Sequence, residues 1–415
     1  MVKKNKIIVA GLVLMLSNCG PAEEGKNEQV TEIAEPQLEF REIPVPSGVN
    51  SFFPRLAETE KNKGLLLSWY EGKEEDSMRL YTASLGEDWS EPALVAEGEN
   101  WFVNWADFPE VSTFGEGRKA ISYLQKNGEG LFAYEIRLKL YNPATGKWSE
   151  SIVPHLDGVE AEHGFVSMAP MEENTLGMVW LDGRKYGASS HNGHGGHGSA
   201  EMTMRFARIS PDGDLLAQNE LDGRTCDCCQ TGLAATADGL VAVYRDRSAE
   251  EVRDIAFMRY EKGEWSEPQV LFKDNWTIKG CPVNGPAIDA EGEAVAVAWF
   301  TAADGKQQVK LIRSEDGGES WGDPVLVDND EPEGRVGVSL LPDGSTAVSW
   351  LAKEGKLNVK RIAAEGILMD STTVTTLENS RSSGFPQMVH QNGSLYVAWT
   401  VTGEEEQLKM AKAEL

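Results

Sequence analysis

Seven copies of one short pattern divide the chain. Each is a run of small and apolar residues that ends in an aromatic: LLLSWY at Trp69, AISY at Tyr123, GMVW at Trp180, VAVY at Tyr244, AVAW at Trp299, AVSW at Trp350 and YVAW at Trp399. The aromatics recur every 49 to 64 residues. Runs this short, with turn residues between them and no convincing helical stretch, read as strands, and a repeat of this length reads as one four-stranded blade of a β-propeller. A shorter element precedes each copy: FFPRL, ADFPEV, GFVSMAP, QTGLAAT, NGPAID, RVGVSLL and GFPQMV. These are expected to be the innermost strands, and several carry Pro near their first residue, where a missing N–H does least damage. A third strand such as MRLYTAS or AYEIRLKLY follows each aromatic, then a turn and an outer strand. The expected fold is all-β, a single propeller of seven blades, with six as the alternative count.

The last copy is short. After Trp399 only LKMAKAEL remains, enough for a third strand and no fourth, while Leu38 to Pro46, LEFREIPVP, precedes the first copy with no other blade to join. An N-terminal strand completing the last blade would close the ring and cover two open edges. The propeller is therefore expected over 38–415.

The preceding residues read as a targeting segment. Lys3, Lys4 and Lys6 stand before the apolar run Ile7 to Leu16, which is too short to span a bilayer and has the layout of a secretory leader. Leu16-Ser17-Asn18-Cys19-Gly20 resembles the lipobox of bacterial lipoproteins, although a residue smaller than Asn usually precedes the cysteine. The resemblance implies a signal peptide over 1–18, a lipidated Cys19, and a polar tether over 19–37. It places the protein in the bacterial cell envelope, at the outer membrane, facing periplasm or exterior and held by its lipid alone. A net charge of −27 repels phosphate backbones, which argues against a nucleic-acid partner. A monomer is expected.

Ser314-Glu315-Asp316-Gly317-Gly318-Glu319-Ser320-Trp321 resembles the Asp-box of bacterial sialidases and related propellers, S-x-D-x-G-x-[ST]-W, at every defined position. Degenerate versions stand at Trp89, Trp148 and Trp265. The Asp and the glycines shape a tight hairpin and the Trp packs into the blade, so the motif argues for fold. The resemblance implies a glycan ligand or another small molecule, and an enzyme of exo-α-sialidase type is one outcome.

In a propeller, the connections from outer strand to next blade and the loops between second and third strands emerge on one face around the channel. The unusual residues concentrate there. A sialidase needs arginines for the substrate carboxylate and an acid/base, and Arg55, Arg245, Arg335, Asp107 and Asp246 are the catalytic candidates. Of 12 tryptophans, three fit neither strand nor turn pattern. Those three, Trp101, Trp105 and Trp276, together with Arg184 and Arg247, are candidates for contact with substrate.

Cys226, Cys228 and Cys229 in RTCDCCQTG and Cys281 in KGCPVNGP fall in consecutive connections of the same face. In an exported chain they read as a disulfide cluster. The alternative is a copper or zinc site that adds His191, His194 and His197 of the loop SSHNGHGGHGS; otherwise no cofactor is expected. His163 lies in the connection that leads into blade 3. Three function classes stay open: a glycan-acting enzyme, a non-catalytic module binding glycan or an envelope protein, and a Cys/His metal or redox protein.

Overall fold

Burial along the strands explains why the copies form blades. In the third strand of blade 2, Tyr134–Asn142, Tyr134, Ile136, Leu138 and Leu140 are buried and the residues between them are not. The second strands do not alternate: every residue of Leu176–Asp182 is buried, because both faces of that strand lie between neighbouring blades. The computed structural model describes residues 38–59, 64–73, 77–186, 201–378 and 380–415. Among these residues there are seven antiparallel sheets and no α-helix.

The innermost strands of blades 1 to 7 are Ser51–Glu58, Glu110–Phe114, His163–Pro170, Gly232–Ala235, Ala287–Glu291, Gly334–Leu340 and Gln387–Gln391. Each packs against the next, and the seventh against the first, so the count is seven and the ring is closed. Together they line a central cavity of about 570 Å³. The outermost strand of blade 7 is Arg41–Ile43, paired with the C-terminal strand through Arg41↔Lys412 and Ile43↔Met410, as the short last copy predicts. In blade 4 the outer strand is broken into Glu264–Trp265 and Gln269–Val270, with Pro268, which has no N–H for a ladder, between them.

Adjacent blades are joined by aromatic hydrogen bonds. Tyr244 Oη donates to Asp222 (2.6 Å) and Trp299 Nε1 to Asp274 (2.7 Å), each acceptor standing at or just past the outer strand of the preceding blade. The turn tryptophans wedge the same seam from the other end. Trp321 packs edge-on against Phe257 and Trp265 against Phe206, again on the preceding blade. Within the Asp-box, Asp316 accepts from Ser320 N (2.8 Å) and Ser320 Oγ (2.5 Å), while Gly317 and Gly318 take φ of 65° and 83° that other residues adopt only with strain. The motif thus builds the fold, as its local chemistry implies.

Candidate functional site

Four innermost strands carry a proline at or near their start: Phe53-Pro54-Arg55, Phe108-Pro109-Glu110, Gly285-Pro286-Ala287 and Phe385-Pro386-Gln387. The residue after each proline lines the cavity. In the neighbouring blades 7, 1 and 2 those residues are polar and meet: Arg55 donates through Nη1 to Gln387 Oε1 and through Nη2 to Glu110 Oε2. The guanidinium also lies 4.9 Å over the Phe108 ring. Burial raises the Glu110 carboxyl, and Arg55 pulls it part of the way back.

Three innermost strands open on a bulge whose central residue is left-handed: Phe53, Phe165 and Arg335, at φ of 50°, 53° and 51°. The N–H of that residue leaves the ladder and finds a side-chain acceptor on a neighbouring blade. Phe53 N donates to Thr400 Oγ1 (3.0 Å), Arg335 N to Asn284 Oδ1 (2.8 Å) and Phe165 N to Asp107 Oδ1 (2.7 Å). Asn284 performs with an amide what Asp107 performs with a carboxyl. The bulge therefore does not require the acid.

The second oxygen of Asp107 accepts from Tyr134 Oη at 2.8 Å, and the same hydroxyl lies 3.0 Å from Glu162 Oε1. A phenol has one proton and cannot donate to two carboxylates. One carboxyl of the pair must hold a proton and return it to the phenol oxygen. Desolvation drives this: it pushes Asp107 up to about 7 and raises Glu162 well above the usual range, with repulsion from Asp107 adding to the second shift. Glu162 and Tyr134 were not singled out from sequence. Glu162 stands beside His163 in the connection leading into blade 3, which was the one available signal.

The other candidates do not converge on this array. Arg245 is fully buried and donates to the carbonyls of Asn284 (3.0 and 2.7 Å), Arg253 (2.7 Å) and Phe300 (2.8 Å), with its guanidinium 4.8 Å over Trp276. Arg335 donates to the carbonyls of Gly384 (2.6 Å) and Ser380 (3.0 Å). Arg184 grips Asp182 (2.7 and 2.6 Å) and reaches Asp157 (2.9 Å). Arg247 pairs with Glu251 (2.8 Å), and Asp246, raised to about 6 by burial, accepts from the Arg247 N–H (2.6 Å). These groups brace neighbouring loops, and no shared arginine cluster forms.

Trp101 and Trp276 are buried rather than at a rim. Trp101 packs on Tyr123 and Tyr70 inside blades 1 and 2, and Trp276 lies beneath Arg245 and edge-on to Phe300. Trp105 is half-buried: its ring stacks on Phe385 at 5.8 Å, with Arg335 and the exposed Arg381 at 5.0 and 5.9 Å.

The four cysteines after residue 200 gather as their positions in consecutive connections predict, but as free thiols. Cys226 Sγ and Cys229 Sγ are 3.4 Å apart, against about 2.05 Å in a disulfide. None of the four is at disulfide distance from another in this structure. His191, His194 and His197, like Cys19 and the leader and tether, lie outside the described residues. His163 is buried with both ring nitrogens against acceptors: Nδ1 faces Ala161 O (3.0 Å) and Nε2 faces Asp157 Oδ2 (2.9 Å). Burial lowers its affinity for the proton, but Asp157 and Asp182 more than offset that and raise it.

No protein-family model and no curated protein matches the sequence. Solved structures do match over nearly the whole chain. BP39L lectin from Burkholderia pseudomallei is 12% identical, with 88% of this chain and 96% of the lectin covered and a TM-score of 0.59. A polysaccharide lyase of an ulvan lyase family, bound to a saccharide, is 13% identical, with 90% and 96% covered and a TM-score of 0.53. NanB sialidase from Streptococcus pneumoniae is 12% identical, with 88% and 68% covered and a TM-score of 0.44. What is shared is the propeller fold.

Proposed function

We propose that the protein is a glycan-directed propeller held at the bacterial cell envelope through a lipid on Cys19, and that Asp107 is its proton-transferring group. The reading rests chiefly on one observation: Asp107 carries a buried carboxyl, raised to about 7, where Asn284 fills the equivalent structural place with a neutral amide. Keeping an acid there costs stability, and a proton that transfers near neutral pH is what the acid adds. Asp107, Arg55 and Glu110 line the same cavity, while Tyr134 and Glu162 stand behind Asp107 and link it to a second carboxyl through the phenol. A lectin and a polysaccharide lyase with this fold support a glycan as the ligand class.

Hydrolysis of the sialidase type is the narrower form of this reading. It needs free guanidinium donors converging on a substrate carboxylate, and Arg245 and Arg335 commit theirs to backbone carbonyls. The arrangement favours a glycan recognised mainly by neutral hydrogen bonding and ring stacking. A second reading, binding without turnover, is favoured by Trp105, a half-buried aromatic held between two arginines beside the channel residue Phe385.

The test is a panel of acidic and neutral polysaccharides and fluorogenic glycosides, sialosides included, screened for binding and for turnover. Asp107→Asn should keep the fold and lower turnover by at least about 100-fold. Binding without turnover in the parent assigns the non-catalytic reading. No binding to any glycan removes both.

A further inference from the structure

The thiols lie outside the hydrogen-bonded set of Asp107, Tyr134 and Glu162 and cluster with one another. We propose that Cys226, Cys228, Cys229 and Cys281 form a thiolate site for a thiophilic d10 cation, zinc(II) or copper(I), which clasps the loops leading into blades 4 and 5. The sulfurs of Cys226, Cys228 and Cys229 all lie within 4.8 Å of one another, and Cys281 reaches Cys228 from the next loop. A tetrahedral ion with metal–sulfur bonds of about 2.3 Å sets its sulfurs about 3.8 Å apart. The 3.4 Å between Cys226 and Cys229 is close to that separation and far from a bond.

The surroundings suit a soft ion. Ala106, Phe165, Leu181, Met202 and Phe385 pack in one buried apolar cluster with Cys226, Cys228 and Cys229, surroundings that favour a soft ion over a hard one. The loop is anchored, since Cys226 N donates to Arg245 O (3.0 Å). Arg253 Nη1 donates to Cys226 Sγ at 3.1 Å, and the buried Arg253 Nε has no hydrogen-bond partner. The Arg253 cation offsets part of the negative charge that several thiolates bring to the cluster. Binding displaces the thiol protons into solvent and changes no oxidation state.

The full-length chain, purified anaerobically, is titrated in separate arms with zinc(II), copper(I) and, as a spectroscopic probe, cobalt(II). One equivalent should bind in each arm, the cobalt form should show thiolate charge-transfer absorption, and the melting temperature should rise with metal concentration. Competition between zinc and copper then identifies which ion the site retains. Cys228→Ser should weaken binding by at least about 100-fold, because even outer-shell changes cost 10- to 100-fold. Cys19→Ser should bind like the parent. Cys281 is only half-buried, so Cys281→Ser repeats the readout with less burden on folding. Cobalt bound without thiolate charge transfer, undiminished binding by Cys228→Ser and Cys281→Ser, or paired oxidation of all four cysteines in protein isolated from the exported fraction would each overturn the proposal.

Discussion

Asp107 and Asn284 give two solutions to one backbone problem, and the contrast separates structure from chemistry at a single atom pair. Replacing Asp107 by Asn keeps an acceptor for Phe165 N and removes the titrating proton, so turnover should fall while the circular dichroism spectrum holds and the melting temperature does not drop. In the parent, turnover that depends on protonated Asp107 should decline as pH rises through about 7, and a pH–rate profile checks this. Arg245 should behave in the opposite way. Arg245→Ala strands the carbonyls of Asn284, Arg253 and Phe300 and uncovers Trp276, which should cost about 3 kcal/mol or more in a denaturant melt and leave glycan affinity unchanged if the variant folds. This was the hardest part to read from sequence. Arginine and aspartate carry the same letters whether they face a backbone carbonyl or a ligand, so Asp107, Arg55 and Glu162 could not be told from Arg245 and Arg335 until the bulges and their acceptors were placed.

Blades were far more legible than sites, because a blade is local: its strands are consecutive, and its hydrophobic pattern is complete within one repeat. The second-strand aromatics located the strands between blades, and the Asp-box located a turn. The pairing of each turn tryptophan with the preceding blade was not visible, since it depends on how far neighbouring sheets are rotated about the ring axis. Trp101 was misread for the same reason. It lies in a connection by sequence, yet it bridges to Gln125 and packs between blades 1 and 2. The wedge role of the turn tryptophans can be measured. Trp321→Ala removes the contact with Phe257 and should destabilise the protein by about 3 kcal/mol, read from the melting transition, with the channel residues undisturbed.

For the whole molecule, the acids that burial raises, Asp107 and Glu162 among them, make stability depend on pH in a sense opposite to ordinary surface carboxylates. An unfolded aspartate titrates at about 3.9. Asp107 titrates at about 7 when folded, so its contribution is fully present below the unfolded value and is lost as pH rises through 7. His163 is also raised by folding and acts with the same sign. The melting temperature should fall between pH 5 and pH 8, and Asp107→Asn should flatten part of that slope. Deleting residues 38–46 is a second test at this scale: it opens the edge of the strand Gln407–Glu414 and should promote self-association in light scattering while the innermost strands stay intact.

The pairing of Arg41 with Lys412 also sets an order of events. Residues 41 to 43 are among the first of the blade-forming sequence to leave the ribosome and can find their partner only after nearly the whole chain has followed. Until then blade 7 has no outermost strand, and blades 1 to 6 can form from contacts that are close in sequence while the seventh waits on a contact that spans the chain. Closing such a loop adds little to its thermodynamic cost, because the entropy grows only logarithmically with length. Its effect is on time: pairing across this distance is expected to be the slow step of folding, and during it the unpaired strand edges are the part of the molecule most in need of a chaperone.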